Sequence, residues 1–429
     1  MSDPRSAVLG VEHSLTDKRW EASPADDRLA LALRQRHNLS DIVARILVAR
    51  GVDIDLAASF LDPSLKTLLP DPSLLKGMDE AVERIASAII DGETIGVFGD
   101  YDVDGATSAA LLERFIHTVG GKVDIYVPDR LREGYGPNLA ALLQMKDKGA
   151  GVIITVDCGI TAFDPLAGAA EAGVDVVVVD HHAAEPQLPA AIAVINPNRL
   201  DDESGQGQLA AVGVVFLLVV ALNRCLRGRN HYAEKAEPNL LQWLDLVALG
   251  TVCDVVPLTG LNRALVSQGL KVMARRDNVG LRALSDVASI AEAPTTYHAG
   301  FILGPRVNAG GRVGEASLGA RLLTTHDADE ARDLAIRLDD WNKERRELEA
   351  ACLEEAILQA EMRGLRDGLV YVSADNWHAG VIGIVAGRLK ERFNRPACVV
   401  ARDKGVGKGS GRSVIGVDLG SAVIAARQS

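Results

Sequence analysis

The sequence predicts an α/β protein in which a parallel-sheet domain is joined by a long helix to a smaller α/β domain. Three observations support this fold class. From Thr94 onwards, apolar β-branched runs alternate with stretches of helical periodicity. Three of these runs are followed immediately by acidic residues. A long, charged segment of helical pattern, from Asp327 to about Arg363, separates them from a second, shorter set of strand and helix patterns.

Length and composition describe a folded chain of more than one domain. Its 429 residues exceed one ordinary hydrophobic core, and 48% of them are hydrophobic, which argues against extensive disorder. The longest apolar run, Leu209 to Leu222, is too short to span a membrane and is expected to be a buried core helix. The N-terminus has no export pattern, and the scattered cysteines include no C-x-x-C pair. We therefore expect a cytoplasmic protein with reduced thiols and no membrane contact.

The net charge of −12 does not exclude a nucleic-acid partner. Net charge sums the whole surface, whereas a phosphate chain responds to the charge of the groove in which it lies. Many of the acids also fall in the candidate site described below, where bound divalent cations would neutralise them.

Four regions are predicted along the chain. They are an N-terminal arm, loosely ordered to about Gln35, with a helical lead-in (1–75); the parallel-sheet domain (76–326); the connecting helix (327–363); and the smaller domain (364–429). The predicted strands are 94–99, 122–127, 151–156, 174–179, 192–195, 369–373 and 396–401, and the predicted helices between them are 106–119, 138–148, 161–172 and 381–392. This alternation implies parallel pairing with right-handed crossovers.

The β-branched run Val174–Val179 leads directly into Asp180, His181 and His182. A strand buried on both faces cannot hide ionisable groups cheaply, so this triplet is expected at its C-terminal end, where open parallel sheets bind their ligands. Taken alone, an Asp-His-His triplet is as readily a capping aspartate with two surface histidines as a functional site.

Two further strands deliver acids in the same way. The run 94–99 is followed by Asp100, Asp102 and Asp104, and the run 151–156 is followed by Asp157. The carboxyl ends of parallel strands meet at one edge of a sheet, so these side chains are expected to converge with the triplet after Val179.

Asp254 is a fourth isolated acid in an apolar setting, at the end of a helical stretch. On its own, an aspartate so close to Pro257 is more simply read as a turn former.

So many carboxylates at one edge would repel one another unless cations neutralise them. Oxygen and imidazole ligands suit Mn²⁺ or Mg²⁺ better than they suit metals that prefer thiolates. Two ions fit this number of ligands better than one, and a pair of divalent ions can clamp both oxygens of an in-line phosphoryl displacement.

Two glycine-rich segments carry basic residues. The segment 304–312 contains Arg306 and Arg312 and is interpreted as a loop whose backbone closely approaches an anion. The Lys/Gly run 404–413 is compatible with a simple flexible hairpin, and His378 with a helix-capping side chain.

The motifs GDYDVDG, VDCG, VVVDHH and GTVCDVVPL, in this order, resemble the four signature motifs of the DHH phosphoesterase superfamily. FLDPSL, GPRVNAGGR, LDDWNKERRELE, NWHAGVIGIVAGRL and GKGSGRS resemble the RecJ branch, the single-strand-specific DNA exonucleases. The similarity runs from about Gly51 to Leu419. It implies a DHH domain followed by a DHHA1-like domain, and a 5′-to-3′ exonuclease of DNA repair and recombination that releases 5′-mononucleotides with Mn²⁺ or Mg²⁺.

The resemblance also implies roles for individual residues. The metal ligands would be Asp102, Asp104, Asp157, His181 and Asp254, with Asp100, Asp180 and His182 as further ligands or phosphate contacts. Asp157, as the bridging ligand, and the two histidines would form the catalytic group. The substrate-binding residues would be Arg306, Asn308, Arg312, His378, Ser410 and Arg412. Single-stranded DNA would be the main partner, with a helicase and a single-strand-binding protein as further partners.

Family members continue beyond the GSGRS segment into a Gly-Gly-His motif and an OB-fold, so the smaller domain is expected to be an incomplete DHHA1-like domain. Two other functions stay open. One is a DHH phosphoesterase of small substrates, such as an oligonucleotide phosphodiesterase or a pyrophosphatase; the helical lead-in and the long helix argue against it. The other is a non-catalytic DNA-binding scaffold, which could dispense with the acids that this chain has.

Overall fold

The computed structural model describes residues 7–22, 26–130, 132–363 and 368–428. The chain divides into two compact units, one of residues 1–69 with 259–264, the other of residues 70–258 with 265–429. The finer division predicted at 75/76, 326/327 and 363/364 stays a prediction, and residue 364 lies outside the described residues.

The first unit is helical. Its helices are α1 (Asp27–His37), α2 (Asp41–Ala49), α3 (Ala57–Leu61) and α4 (Leu65–Leu68). Asp26 caps α1, since its carboxylate accepts hydrogen bonds from two N–H groups of the first turn. Leu33 is buried in a cluster with Ala44 and Leu47 of α2. The prediction of a loosely ordered arm up to Gln35 is therefore wrong from α1 onwards, whereas residues 1–6 and 23–25 of that arm lie outside the described residues.

The second unit is built on a parallel sheet. Its first elements are α5 (Met78–Asp91), β1 (Thr94–Gly99), α6 (Val103–Thr118), β2 (Lys122–Tyr126), α7 (Leu139–Asp147), β3 (Ala150–Val156), α8 (Phe163–Glu171), β4 (Asp175–Val179) and β5 (Ala193–Ile195). The strand order is β2-β1-β3-β4-β5, and every pairing is parallel. The predicted fold class is confirmed, and each strand predicted for this sheet is found to within one residue at each end.

Helices cover both faces of this sheet, which explains the continuous apolar runs of its strands. On one face, Val176 and Val178 pack with Leu142 of α7 and Leu166 of α8. Helices α5 and α6 also pack against β1. The register pairs Gly99 with Val156 and Val156 with Val179, so β1, β3 and β4 end level with one another.

A helical region follows the sheet. Its elements are α9 (Ala211–Gly228), α10 (Leu244–Cys253), α11 (Gly260–Met273), α12 (Val279–Val287), a π-helix (His298–Leu303), α13 (Gly304–Val313) and α14 (Ser317–Thr324). Helix α9 extends beyond the predicted apolar run and, by length and composition, could cross a membrane, which corrects the prediction that the run is too short. Within the protein, however, 72% of this stretch is buried, as expected for a core helix.

The glycine-rich segment 304–312 is a helix, α13, so the predicted loop is wrong. Its glycines allow close packing. A Cβ atom on Gly304 would lie 2.4 Å from Cys253 Sγ, and one on Gly311 would lie 2.6 Å from the carbonyl oxygen of Tyr101. A helix can approach its neighbours this closely only where a side chain is missing.

The remaining elements are α15 (Ala328–Arg363), β6 (Val370–Ala374), α16 (Ile382–Phe393), β7 (Ala397–Asp403), β8 (Val406–Arg412) and α17 (Leu419–Gln428). The smaller sheet has the order β6-β7-β8, with β6 parallel and β8 antiparallel to β7. Helix α15 has 36 residues and packs against α13 and α16, as a connecting helix should. The Lys/Gly run supplies β8 and the turn before it.

Candidate metal centre

The acids that follow the strands are held by an extension of the sheet's own hydrogen bonds. The backbone N–H of Asp100 donates to Val156 O at 3.3 Å, and that of Asp157 donates to Val179 O at 3.0 Å. The N–H of Asp180 donates to Ile195 O at 3.0 Å. The predicted convergence at the C-terminal edge is therefore observed, and each residue enters the site in a fixed backbone position.

His181 lies at the centre of the cluster. Its Nε2 atom is 3.3 Å from Asp157 Oδ1, 3.6 Å from Asp254 Oδ2 and 3.9 Å from Asp104 Oδ2. The Nδ1 atom of His182 is 4.0 Å from the same oxygen of Asp157. One carboxylate oxygen of Asp157 thus faces both imidazoles, in the position expected of a ligand shared between two ions.

Three groups of side chains could each hold an ion, because their ligand atoms lie within 4.8 Å of one another. The groups are Asp157 with His181 and His182; Asp104 with His181 and Asp254; and Asp100 with Asp102 and Asp157. Asp157 and His181 each belong to two groups. The arrangement therefore fits adjacent ions with shared ligands.

The second nitrogen of His181 fixes its tautomer. Nδ1 lies 3.0 Å from the carbonyl oxygen of Leu209, which can only accept a hydrogen bond. Nδ1 therefore carries the proton and Nε2 presents its lone pair to the carboxylates. A backbone carbonyl on the opposite nitrogen is a usual partner of histidines that bind metals.

Four buried atoms of the cluster have no hydrogen-bond partner within the described part of the chain: Asp100 Oδ1, Asp157 Oδ1, Asp254 Oδ2 and His181 Nε2. All four are acceptors in the tautomer deduced above. Buried acceptors without donors are costly unless a cation satisfies them. Carboxylate oxygens with imidazole nitrogen are a donor set that suits Mn²⁺ or Mg²⁺, so the residues fit the predicted metals.

Burial and mutual repulsion shift the acidity of the cluster. Burial, with the neighbouring Asp102 charge, raises the pKa of Asp100 to about 8 and that of Asp254 to about 7. Burial and neighbouring carboxylates also raise the pKa of Asp104 and of Asp157 well above the usual range. These carboxyls therefore hold protons near neutral pH until a cation replaces them.

Asp180 behaves differently and corrects the prediction that it is a metal ligand. Its Oδ1 accepts hydrogen bonds from His181 N at 2.7 Å and from His182 Nδ1 at 2.7 Å, and its Oδ2 accepts one from Ile160 N at 3.0 Å. Burial alone would raise its pKa, but these hydrogen bonds lower it overall. Since both oxygens are used, Asp180 orients His182 and the turn after β4.

Two residues of the site have left-handed backbone conformations. Asp157 has φ 60° and Val255, directly after Asp254, has φ 63°. Aspartate tolerates this region, whereas a β-branched residue seldom occupies it. Val255 is 85% exposed, so it packs against little that would offset the strain.

The predicted substrate residues of α13 are firmly held. Arg306 donates from Nε to Asp339 Oδ1 at 2.8 Å and from Nη1 to Ile302 O at 2.7 Å. Arg312 donates to the carbonyl of Gly380, in the loop before α16, and burial lowers its pKa to about 10. Asn308 is partly buried on the same helix.

The predicted residues of the smaller domain lie around the start of α16. His378 Nδ1 accepts a hydrogen bond from Gly380 N at 3.1 Å, as a capping side chain would. Arg412 Nη1 donates to Ser410 Oγ at 3.2 Å. A Cβ atom on Gly383 would lie 3.1 Å from Ser410 Oγ and 3.3 Å from Arg412 Nη2. Ser410 and Arg412 thus face the first turn of α16 together.

Sequence reasoning did not identify the aromatic residues beside the cluster. The Tyr135 hydroxyl donates to Asp157 O at 3.1 Å, and its ring lies 6.0 Å from that of His182. The Arg130 guanidinium lies 5.0 Å from the centre of the Tyr101 ring. The signal available was Tyr135 itself, an aromatic residue placed between two glycines.

The parallel sheet and its acid-histidine edge define a class, that of the DHH proteins. The family described as "DHH family, N-terminal domain" matches residues 94–251, and the "DHHA1 domain" matches residues 366–429.

The single-stranded-DNA-specific exonuclease RecJ of Dickeya dadantii (strain 3937) is 43% identical over 396 residues, which cover 90% of this chain and 68% of that protein. The RecJ exonuclease of Bacillus subtilis (strain 168) is 38% identical over 405 residues, which cover 94% of this chain and 50% of that protein.

A crystal structure of RecJ from Thermus thermophilus in complex with Mn²⁺ has a TM-score of 0.79 and 32% identity; it covers 95% of this chain and 57% of that one. The corresponding complex with Mg²⁺ has a TM-score of 0.73 and 31% identity, with 95% and 54% covered. The chain belongs to the RecJ family. It spans between about half and two thirds of the length of these curated relatives.

Proposed function

We propose that the chain is a single-strand-specific exonuclease that hydrolyses DNA from the 5′ end and releases 5′-mononucleotides. The observation that carries the proposal is the convergence of four buried, unpartnered acceptor atoms at the edge of the parallel sheet. The relatives named as exonucleases, and the Mn²⁺ and Mg²⁺ complexes, support the same chemistry.

The ligands of two Mn²⁺ or Mg²⁺ ions would be Asp100, Asp102, Asp104, Asp157, His181, His182 and Asp254. Bound there, the ions would supply Lewis-acid stabilisation of the charge that develops on the phosphoryl group. Asp157 would hold both positions through one carboxylate. Asp180 would orient the His182 ring through its hydrogen bond to Nδ1. Arg312 would add a fixed positive charge beside the acids.

A cavity of about 960 Å³ between α13, α15 and α16 fits a single strand better than a duplex. Tyr297 and Phe301 stand at its rim, 60% and 73% exposed, with their rings stacked 5.4 Å apart. Four arginines line it: Arg306, Arg345, Arg346 and Arg388. Exposed aromatic rings stack on unpaired bases, and arginines attract the phosphate chain, so this combination suits single-stranded nucleic acid.

Ser410 and Arg412 would bind the terminal phosphate. The hydroxyl and the guanidinium face the first turn of α16, whose free N–H groups favour anions. His378 would keep the preceding loop in place through its hydrogen bond with Gly380.

The experiment is a nuclease assay on matched single strands and duplexes labelled at the 5′ or the 3′ end, with Mn²⁺ or with chelator. We expect mononucleotide release from the 5′ end of the single strand in Mn²⁺, and none from the Asp157→Ala protein. Cleavage in chelator, or equal cleavage of the duplex, would contradict the proposal.

The alternatives predict other results. A phosphoesterase of small substrates would cleave dinucleotides or pyrophosphate and spare long strands; the open cavity favours long strands. A scaffold would bind DNA without cleaving it, although it would not need the buried carboxylates. A role in DNA repair and recombination in the cytoplasm, with a helicase and a single-strand-binding protein as partners, completes the proposal.

A further inference from the structure

The start of helix α9 contacts the cluster through its backbone alone. The N–H of Ala211 donates to Asp104 Oδ2 at 2.7 Å, and the N–H of Val212 donates to Asp104 Oδ1 at 2.9 Å. Asp104 is 1% exposed. Both oxygens of this carboxylate are thereby held in one plane, and each keeps a second lone pair for another partner.

The same segment also holds His181. The carbonyl of Leu209 accepts the hydrogen bond from His181 Nδ1 at 3.0 Å. The Nε2 atom of His181 then lies 3.9 Å from Asp104 Oδ2. Two side chains from different parts of the chain are thus oriented by one short backbone stretch, from Leu209 to Val212.

We infer that residues 209–212 are a positioning element of the metal centre. The two N–H groups set the direction of the Asp104 carboxylate, and the start of α9 favours its negative charge. The Leu209 carbonyl selects the tautomer that leaves His181 Nε2 free to bind. Partners that orient a ligand in this way usually change metal affinity when they are removed. The inference rests on the metal-binding part of the proposed function.

The conformation of the segment allows one N–H group to be removed by itself. Ala211 is the first residue of α9, a position where proline is tolerated because its N–H has no partner within the helix. Ala210 has φ −70° and ψ 161°, the conformation favoured before proline. Ala211→Pro therefore deletes the donor to Asp104 Oδ2, whereas Ala211→Val adds bulk at the same buried position and keeps the N–H.

The experiment is a titration of the full chain with Mn²⁺, with free Mn²⁺ followed by electron paramagnetic resonance. We expect Ala211→Pro to lose about tenfold in affinity at one of two Mn²⁺ positions, the one that uses Asp104 and His181, with the other nearly unchanged. Ala211→Val should bind as the unaltered protein does. Equal Mn²⁺ binding by all three proteins, with equal melting in chelator, would overturn the inference.

A second measurement needs no variant, so it holds even if the proline protein fails to fold. Nitrogen-15 spectra of the imidazoles in the metal-free protein should show His181 protonated at Nδ1. A proton on Nε2 would overturn the assignment of the Leu209 carbonyl. Neither measurement uses DNA, so both are independent of whether a strand is hydrolysed.

Discussion

Replacing Asp100 with Asn should stabilise the protein when divalent cations are removed, and the gain should grow with pH. Asp100 is 4% exposed, and burial together with the Asp102 charge raises its pKa from the usual 3.8 to about 8. An acid that is weaker in the folded state costs nothing below its unfolded pKa. Between pH 4 and 8 the unfolded chain releases the proton and the folded chain keeps it, so the free energy of unfolding falls.

The size of the effect follows from the shift. About four pKa units correspond to roughly 6 kcal/mol at pH 8, as an upper limit. Part of that shift comes from repulsion shared with Asp102, so the gain on replacing one partner is expected to be about half, ~3 kcal/mol. At pH 5 the same arithmetic leaves about 1 kcal/mol or less.

The assay is thermal or urea unfolding of the wild-type and Asp100→Asn proteins in chelator at several pH values. Asp180→Asn is the matched control, because Asp180 is as deeply buried but has a lowered pKa. A carboxyl with a lowered pKa stabilises the fold above its unfolded pKa and loses that contribution as pH falls. Asp180→Asn should therefore destabilise the protein at pH 8.

A pH-independent difference between Asp100→Asn and wild type would refute the reasoning. So would a loss of stability in both variants at pH 8. In excess Mn²⁺ the order should reverse for Asp100→Asn, because the wild-type carboxylate would then bind the ion and gain more than the amide.

Three further predictions concern other parts of the site. Asp157→Ala should abolish DNA cleavage without lowering the melting temperature in chelator, since it also removes a repelling charge; retained turnover would refute the shared-ligand role. Arg412→Ala should weaken DNA binding and reduce its salt slope by about one, with Mn²⁺ affinity unchanged; fluorescence anisotropy at several salt concentrations tests this, and an unchanged slope would make Arg412 structural. Gly250→Ala should destabilise the protein by about 1–3 kcal/mol, because its Cβ would lie 2.3 Å from Thr107 Oγ1. Gly228→Ala, with open space around it, is the control and should unfold like wild type.

The sheet and the acids at its edge were predictable because their signals are local. A β-branched run predicts a buried strand, and the residue after it is then placed at the carboxyl end. Asp100, Asp157 and His181 are found together for this reason. The helices between the strands followed from the same alternation.

The rest depended on packing that no local pattern describes. Segment 304–312 was predicted as a loop because glycine disfavours helix, yet close contacts with Cys253 and Tyr101 demand glycine there and make the helix possible. Asp180 carries the same residue type as the other acids, and only the three N–H groups around it distinguish a support from a ligand. Helix α1 was missed although Asp26 provided a capping signal.

The left-handed backbone at Val255 has a consequence for how the protein could be altered. A glycine there would relieve strain on the order of 1 kcal/mol, and a laboratory selection for thermal tolerance would be expected to find it. The same glycine would let the neighbouring Asp254 sample more orientations around the metal centre. Resistance to heat and fidelity of ligand geometry therefore compete at a single exposed residue, and the valine favours geometry.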